Sequence, residues 1–287
     1  MNFFLNRYKE LGQEIKPEEI ELRQSIRANT LKIKEKELIE RLTKNKIKLE
    51  KIPWLKYGYF VEADFSIGAT PEYLFGYYYI QEASAQFPVE ILDPQSGETV
   101  LDMCAAPGGK TTQLSQMMQN KGVVVAIDAD IKRLFALKNN IERTSCKNTV
   151  LYQKDARFVD DFEMKFDKIL LDAPCSGNFS TDPEWFNKRD IEGIRNNASL
   201  QKELVRAALK CLKKNGVLVY ATCSLEPEEN EEVIEWALEK YGTEIKLEPI
   251  DVDIGTPGLT EKTKLCKRFW PNLTSTQGFF VAKIRKI

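Results

Sequence analysis

From residue 99 onward the sequence alternates between short apolar runs of strand type and longer helical runs, and this alternation most limits the folds open to the chain. The strand-type runs are 99–104, 123–128, 149–153, 168–172, 216–222, 244–250 and 278–284. Helical stretches at 110–120, 131–143, 189–212 and 228–241 lie between them, and the third and fourth runs are joined by a short helix or none. Runs such as VVVAID and KILLDA are apolar almost throughout, as strands are when helices cover both sheet faces. The pattern predicts a doubly wound α/β sheet. Ligands in such sheets sit at the carboxyl ends of the strands, so the residues that end each strand should carry the chemistry.

The first 95 residues mix shorter elements and read as a small α+β domain (1–95) ahead of the sheet domain (96–287). Pro17-Glu18-Glu19 has the composition of a helix start. Residues 25–33 alternate like a strand, and 34–46 place Leu38, Ile39 and Leu42 at helical spacing. Thr70-Pro71-Glu72 reads as the cap of a long helix running through Tyr77, Tyr78 and Tyr79 towards Leu92, with the tyrosines as core. Charge is uneven along the chain. Residues 1–56 carry a net +5, residues 260–287 a net +6, and the stretch between them −12. If the basic ends share a face, they make a footprint for phosphates.

The strand ends are specific. The first run leads into Cys104-Ala105-Ala106-Pro107-Gly108-Gly109-Lys110-Thr111-Thr112, where paired glycines permit close backbone approach to a ligand at a helix start. A phosphate-binding GxxxxGK[ST] loop would need glycine where Cys104 stands, and the dinucleotide GxGxxG is absent. The remaining reading is the adenosylmethionine loop of Rossmann-like methyltransferases. The second run ends in Asp128, twenty residues past Gly108, the distance at which an acid meets ribose hydroxyls. Asp155 follows the third run and suits an adenine amine. The fourth ends in Asp172-Ala173-Pro174-Cys175-Ser176-Gly177 and the fifth in Ala221-Thr222-Cys223-Ser224, so two strands end at a Cys-Ser pair.

Histidine is absent from all 287 residues, which excludes Ser-His-Asp triads, Cys-His pairs and HExxH zinc sites. Six cysteines stand at 104, 146, 175, 211, 223 and 266 with no CxxC, so no metal site is expected. No secretory leader pattern and no apolar run of membrane-spanning length appears, and free thiols in a cytoplasmic setting are expected.

DAPCSG with TCS, behind DMCAAPGGKT, resembles the RNA cytosine-5 methyltransferases of the Nop/Sun type. RANTLK (27–32), IQEASAQFPVEIL (80–92) and RFWPN…GFFVAKI (268–284) match landmarks of that family, so the resemblance spans about residues 25–287. It departs at Asn272, where many members have His, and at Gln277, where an acid often stands. The resemblance implies a Rossmann-like class I adenosylmethionine-dependent methyltransferase sheet of seven strands, the last antiparallel. It implies S-adenosylmethionine as cofactor and RNA as partner. It assigns Cys223 as nucleophile on cytosine C6 and Cys175 to release of the product.

Covalent attack suits this chemistry, because C5 of cytosine becomes nucleophilic only after a thiolate adds to C6. Asp172 is suited to hydrogen-bond the cytosine amino group or a protonated ring nitrogen, or to touch the methionine end of the cofactor. Lys110 is placed to pair with Asp172. Arg133 is placed to contact cofactor or RNA, with an exposed ion pair as the equal alternative. DNA cytosine-5 methyltransferases use the Pro-Cys of strand four with a following Glu-Asn-Val. Here Glu229-Asn230-Glu231 follows strand five and reads as helix surface. The amino-methyltransferase [DN]PP[YF] is absent. A non-catalytic RNA-binding or ribosome-assembly factor would be expected to lose a thiol or the glycine pair. The family's compact members act on tRNA and its longer ones often on rRNA, so tRNA is the expected substrate.

Overall fold

The computed structural model describes residues 2–287. At the N-terminus, helix α1 (Phe3–Glu10) is capped by the Asn2 side chain. A four-stranded antiparallel sheet follows, built from β1 (Ser25–Ala28), β2 (Lys48–Lys51), β3 (Gly58–Glu62) and β4 (Tyr78–Ile80) in the order β2-β3-β1-β4. Helix α2 (Glu35–Lys44) covers it and buries Leu38 and Leu42.

Two expected helices are shorter here. Pro17–Glu19 forms only one 3₁₀ turn. The helix expected from Thr70 to Leu92 is three elements: α3 (Pro71–Leu74), strand β4, and α4 (Ala83–Leu92). The break falls at Gly76, whose φ of 71° places it in the left-handed region. A Cβ there would lie 2.0 Å from the Arg143 carbonyl oxygen, so only glycine fits. Beyond it the tyrosines pair with β1 in register Ala28↔Tyr78 and Ile26↔Ile80. Tyr78 and Tyr79 are buried.

The larger sheet contains β5 (Thr99–Asp102), β6 (Val123–Asp128), β7 (Thr149–Gln153), β8 (Phe166–Asp172), β9 (Leu212–Thr222), β10 (Ile245–Leu247), β11 (Thr256–Pro257), β12 (Lys267–Phe269) and β13 (Phe279–Lys286). Its order is β11-β12-β13-β9-β8-β5-β6-β7, with β10 also on β13. The strands β5 to β9 run parallel, and β13 is antiparallel to β9. The seven expected strands are present. The short pair β11–β12 is additional and lies along the half of β13 that β10 leaves free.

Helices α5 (Gly109–Met117), α6 (Ile131–Thr144), α7 (Trp185–Lys188), α8 (Ile191–Cys211), α9 (Glu231–Tyr241) and α10 (Pro271–Thr274) complete the chain. A 3₁₀ segment, Ala156–Phe162, joins β7 to β8. The side chain of Asp190 caps α8, which turns Ile194, Ala198, Leu204 and Val205 inward. Ala198, Leu204 and Val205 join Leu101, Ile169, Leu218 and Phe280 in one core, and Ile194 packs with Trp185 and Leu225 in another.

The first 95 residues contribute to several cores. Phe87, Val89 and Leu92 of α4 pack with Val100, Leu114 and Leu170 of the larger sheet's layer. Phe4 and Tyr8 of α1 pack with Phe179, Trp185 and Trp270. The small sheet has its own core around Ile26, Leu38 and Tyr78. Among the described residues, no helix is long and apolar enough to cross a membrane.

Candidate active site

The loop after β5 turns on Gly108, which has φ 107°. A Cβ there would meet Leu137 Cδ1 of α6 at 2.6 Å, so the loop can lie against α6 only with glycine at this position. Arg27 of β1 holds the loop from the other side. Its guanidinium is fully buried and donates to the Gly109 carbonyl at 2.7 Å, Thr112 Oγ1 at 2.8 Å, Gln116 Oε1 at 3.0 Å and the Gln81 side chain. Burial pushes its pKa down to about 10. The small sheet thus bears directly on the glycine loop.

A cavity of about 260 Å³ opens at the ends of β5, β6 and β7, lined by Met103, Cys104, Asp128, Asp155, Ala156 and Leu204 among others. Asp128 Oδ2 accepts from the Ala106 amide at 3.1 Å, and Oδ1 from the Asp130 amide at 3.0 Å. Arg133 is exposed. It donates to the Ala106 carbonyl at 2.6 Å and lies 3.5 Å from Asp128 Oδ2, so it braces the loop from outside. Both Asp155 oxygens accept from Arg157, which holds this carboxyl below its usual range. The Arg157 contacts use three of the roughly four lone-pair sites of a carboxylate. Carboxylates over a mostly apolar floor suit a nucleoside, with hydroxyl or amine donors at the acids.

A second cavity, about 200 Å³, shares the Cys104 wall and is lined by Tyr79, Gln81, Ala105, Ala106, Pro107, Gly109, Lys110 and Asp172. Lys110 Nζ donates to Asp172 Oδ2 at 2.6 Å. Burial works against the ammonium, but Asp172 outweighs it and holds the lysine above its usual value. Cys175 lines a third, polar groove of about 300 Å³ with Lys188 and Arg189.

Cys175 Sγ and Cys223 Sγ lie 3.2 Å apart. The hydrogen bond from Cys175 lowers the Cys223 pKa, against burial and the Asp172 charge, and Lys110 lowers it further. Cys175 is raised well above a normal thiol, first by that same bond and then by burial. The shared bond links the two ionisations and favours the thiolate on Cys223 and the thiol on Cys175. Cys104 lines both cavities, and burial pushes its thiol well above normal. Cys211 and Cys266 are buried, and Cys146 is half-buried.

One reading of the sequence needs correction. Glu229, Asn230 and Glu231 are not helix surface; all three are buried. They bond to the loops that carry Cys175 and Cys223 and to Arg268. Asp102 was also missed. It is fully buried and accepts from Thr111 Oγ1 at 2.7 Å, and burial pushes its pKa up to about 7. The basic ends are also less basic at the surface than their count implies, because Arg27 and Arg268 are interior and Arg7 is bound by Glu228. Asn272 is exposed and donates to Gln13 at 3.3 Å, and the Gln277 amide donates to Glu82 at 3.1 Å.

Comparison with known proteins was informative over nearly the whole chain. Residues 89–285 match the family described as 16S rRNA methyltransferase RsmB/F, and residues 3–83 match the N-terminal domain of 16S rRNA methyltransferase RsmF. A human 28S rRNA (cytosine(4447)-C(5))-methyltransferase is 39% identical over 96% of this chain, which spans 36% of that protein's length. A tRNA (cytosine(49)-C(5))-methyltransferase of Pyrococcus abyssi is 39% identical over 92% of this chain and 88% of its own. A crystal structure of a methyltransferase homologue from Pyrococcus horikoshii superposes with a TM-score of 0.86 at 42% identity, covering 94% of this chain and 88% of that one.

Proposed function

The chain belongs to the RsmB/F methyltransferase family, and from that membership we propose that it methylates carbon 5 of cytosine in RNA, using S-adenosylmethionine. The observation that carries the reading is the thiol pair at 3.2 Å beside the Lys110–Asp172 pair. Asp128 would hold the ribose hydroxyls, Asp155 the adenine amine, and the Cys104–Gly109 loop the remainder of the nucleoside. Once bound, S-adenosylmethionine supplies an electrophilic methyl group.

The remaining steps belong to the chain's own residues. The Cys223 thiolate adds to C6 of cytosine, forming an S–C6 bond and moving the C5–C6 electron pair to C5. Asp172, oriented by Lys110, accepts from the amino group and from a protonated ring nitrogen, and that proton neutralises the negative charge that the addition would otherwise leave on the ring. After C5 has taken the methyl group it still carries a proton. Cys175, once it has released its own proton to water, or a water it orients, removes that proton. The pair re-forms C5=C6 as the S–C6 bond breaks, and Cys223 leaves as thiolate. A base paired in a helix must first leave its stack to reach this floor.

We propose tRNA as the substrate class. The relative matched over most of its own length is named for tRNA. The rRNA alternative has support from the family's own description and from the longer relatives. Bisulfite sequencing of total RNA from cells with and without the gene tests both. Loss of a methylated cytosine in tRNA is the expected result. Loss at an rRNA position selects the alternative, and no loss in either RNA overturns the activity.

A further inference from the structure

Each proposed catalytic cysteine is followed by a serine, and the two serine hydroxyls lie 3.2 Å apart. Beneath them sit Glu229 and Asn230, adjacent in sequence and both without measurable exposure. Glu229 accepts from the Ser176 amide at 2.9 Å and from Ser176 Oγ at 2.6 Å. Gln201 of α8 donates to the Pro174 carbonyl at 2.9 Å and to Glu229 at 3.3 Å. The two residues flanking Cys175 are therefore held by one carboxylate and the amide bonded to it. Asn230 does the same for Cys223. It accepts from Thr222 Oγ1 at 2.6 Å and donates to the Ser224 carbonyl at 2.9 Å. Tyr220 OH fixes the backbone of this brace by donating to the Glu229 carbonyl at 2.5 Å.

We propose that Glu229 and Asn230 are positioning residues that set the sulfur–sulfur distance, and that the Glu229 charge selects which of the two thiols keeps its proton. The proposal rests on the reading of Cys175 and Cys223 as the catalytic pair. The bracing is geometric: two consecutive residues grip two loops that are 48 residues apart in sequence. The selection is electrostatic. Glu229 is bonded to the residue after Cys175, and its negative charge there disfavours a second negative charge on Cys175. Glu229 opposes charge on Cys223 as well, but its carboxylate bonds to the Cys175 side, and at Cys223 the Lys110 ammonium works against it. Burial of Glu229 strengthens the effect, because little water is present to screen it.

The test uses the full chain without RNA or cofactor. Iodoacetamide alkylates whichever sulfur is ionised, and peptide mass spectrometry reads the ratio of labelled Cys223 to labelled Cys175. Glu229→Gln is isosteric and keeps an acceptor for the Ser176 amide while removing the charge. It is expected to lower the ratio about tenfold near pH 8 and to move the pH midpoint of Cys175 labelling downward. Ser176→Ala keeps the charge and loses one bond, and is expected to lower the ratio by a smaller factor. Asn230→Asp is expected to slow methyl transfer about tenfold with the RNA KM unchanged; if it does not fold, the other two variants carry the test. A Glu229→Gln protein with the parent ratio and the parent midpoint overturns the proposal. Because labelling needs no RNA, this result is independent of whether the parent methylates RNA.

Discussion

The Sγ atoms of Cys175 and Cys223 lie within 3.2 Å of each other, one just past the end of β8 and the other just past the end of β9. Parallel pairing of these strands, in register Asp172↔Ala221, brings the two loops side by side. The proposed mechanism gives the two cysteines different roles. Cys223→Ala should abolish methyl transfer. Cys175→Ala, mixed with substrate RNA and S-adenosylmethionine, should accumulate a covalent protein–RNA species on a denaturing gel. Absence of that species would show that Cys175 has no part in release.

In the proposed mechanism Lys110 ties the nucleophile, Cys223, to the base-binding carboxylate of Asp172. Replacing it by Met removes the positive charge near Cys223 and leaves Asp172 unpaired. The lowered Cys223 pKa means that its thiolate persists at lower pH than in an ordinary cysteine, so Lys110→Met should move the pH midpoint of Cys223 alkylation upward. Methyl transfer should fall roughly a hundredfold. Stopped-flow alkylation across pH and single-turnover methylation check the two effects separately.

Asp102 makes stability fall as pH rises. Its folded pKa is pushed up to about 7, against 3.8 for an ordinary aspartate. The fold therefore prefers the protonated acid, and that preference is fully present below the unfolded value and lost as pH rises through the folded one. Between about pH 5 and pH 8 the loss should be about 2–3 kcal/mol. Asp102→Asn should remove this slope, as measured by urea unfolding at both pH values. A parent and variant with equal slopes would contradict the assignment.

Arg27 carries the small sheet's influence on the cofactor loop. Arg27→Met leaves the Gly109 carbonyl and three side-chain acceptors without their donor. The cost should be about 2–4 kcal/mol of folding free energy. Affinity for S-adenosylhomocysteine, measured by calorimetry, should fall as well, because the carbonyl that Arg27 holds belongs to the loop itself. Unchanged affinity in a folded variant would show that the clamp is structural only.

The sequence was sufficient where chemistry is local. Strand identity in β6 and β8 follows from near-continuous apolar runs, and the glycine loop, Asp128, Asp155 and both Cys-Ser pairs stand at strand ends that the alternating pattern marks. It was insufficient where a fold-level contact overrides local preference. The helix expected through Tyr77–Tyr79 loses to a strand because Gly76 must turn beneath the Arg143 carbonyl and β1 offers an unpaired edge.

The tertiary structure alone decided the brace. Glu229-Asn230-Glu231 has the composition of a solvated helix start, and no residue near it in sequence says otherwise. Its partners are Ser176, Thr222, Ser224 and Arg268, supplied by segments on either side of it. Buried polar groups must be paired, and those pairs form only once the sheet has placed β8 beside β9. The sequence placed the candidate residues at strand ends; the sheet set how far apart they stand, because only tertiary pairing brings the ends of β8 and β9 together.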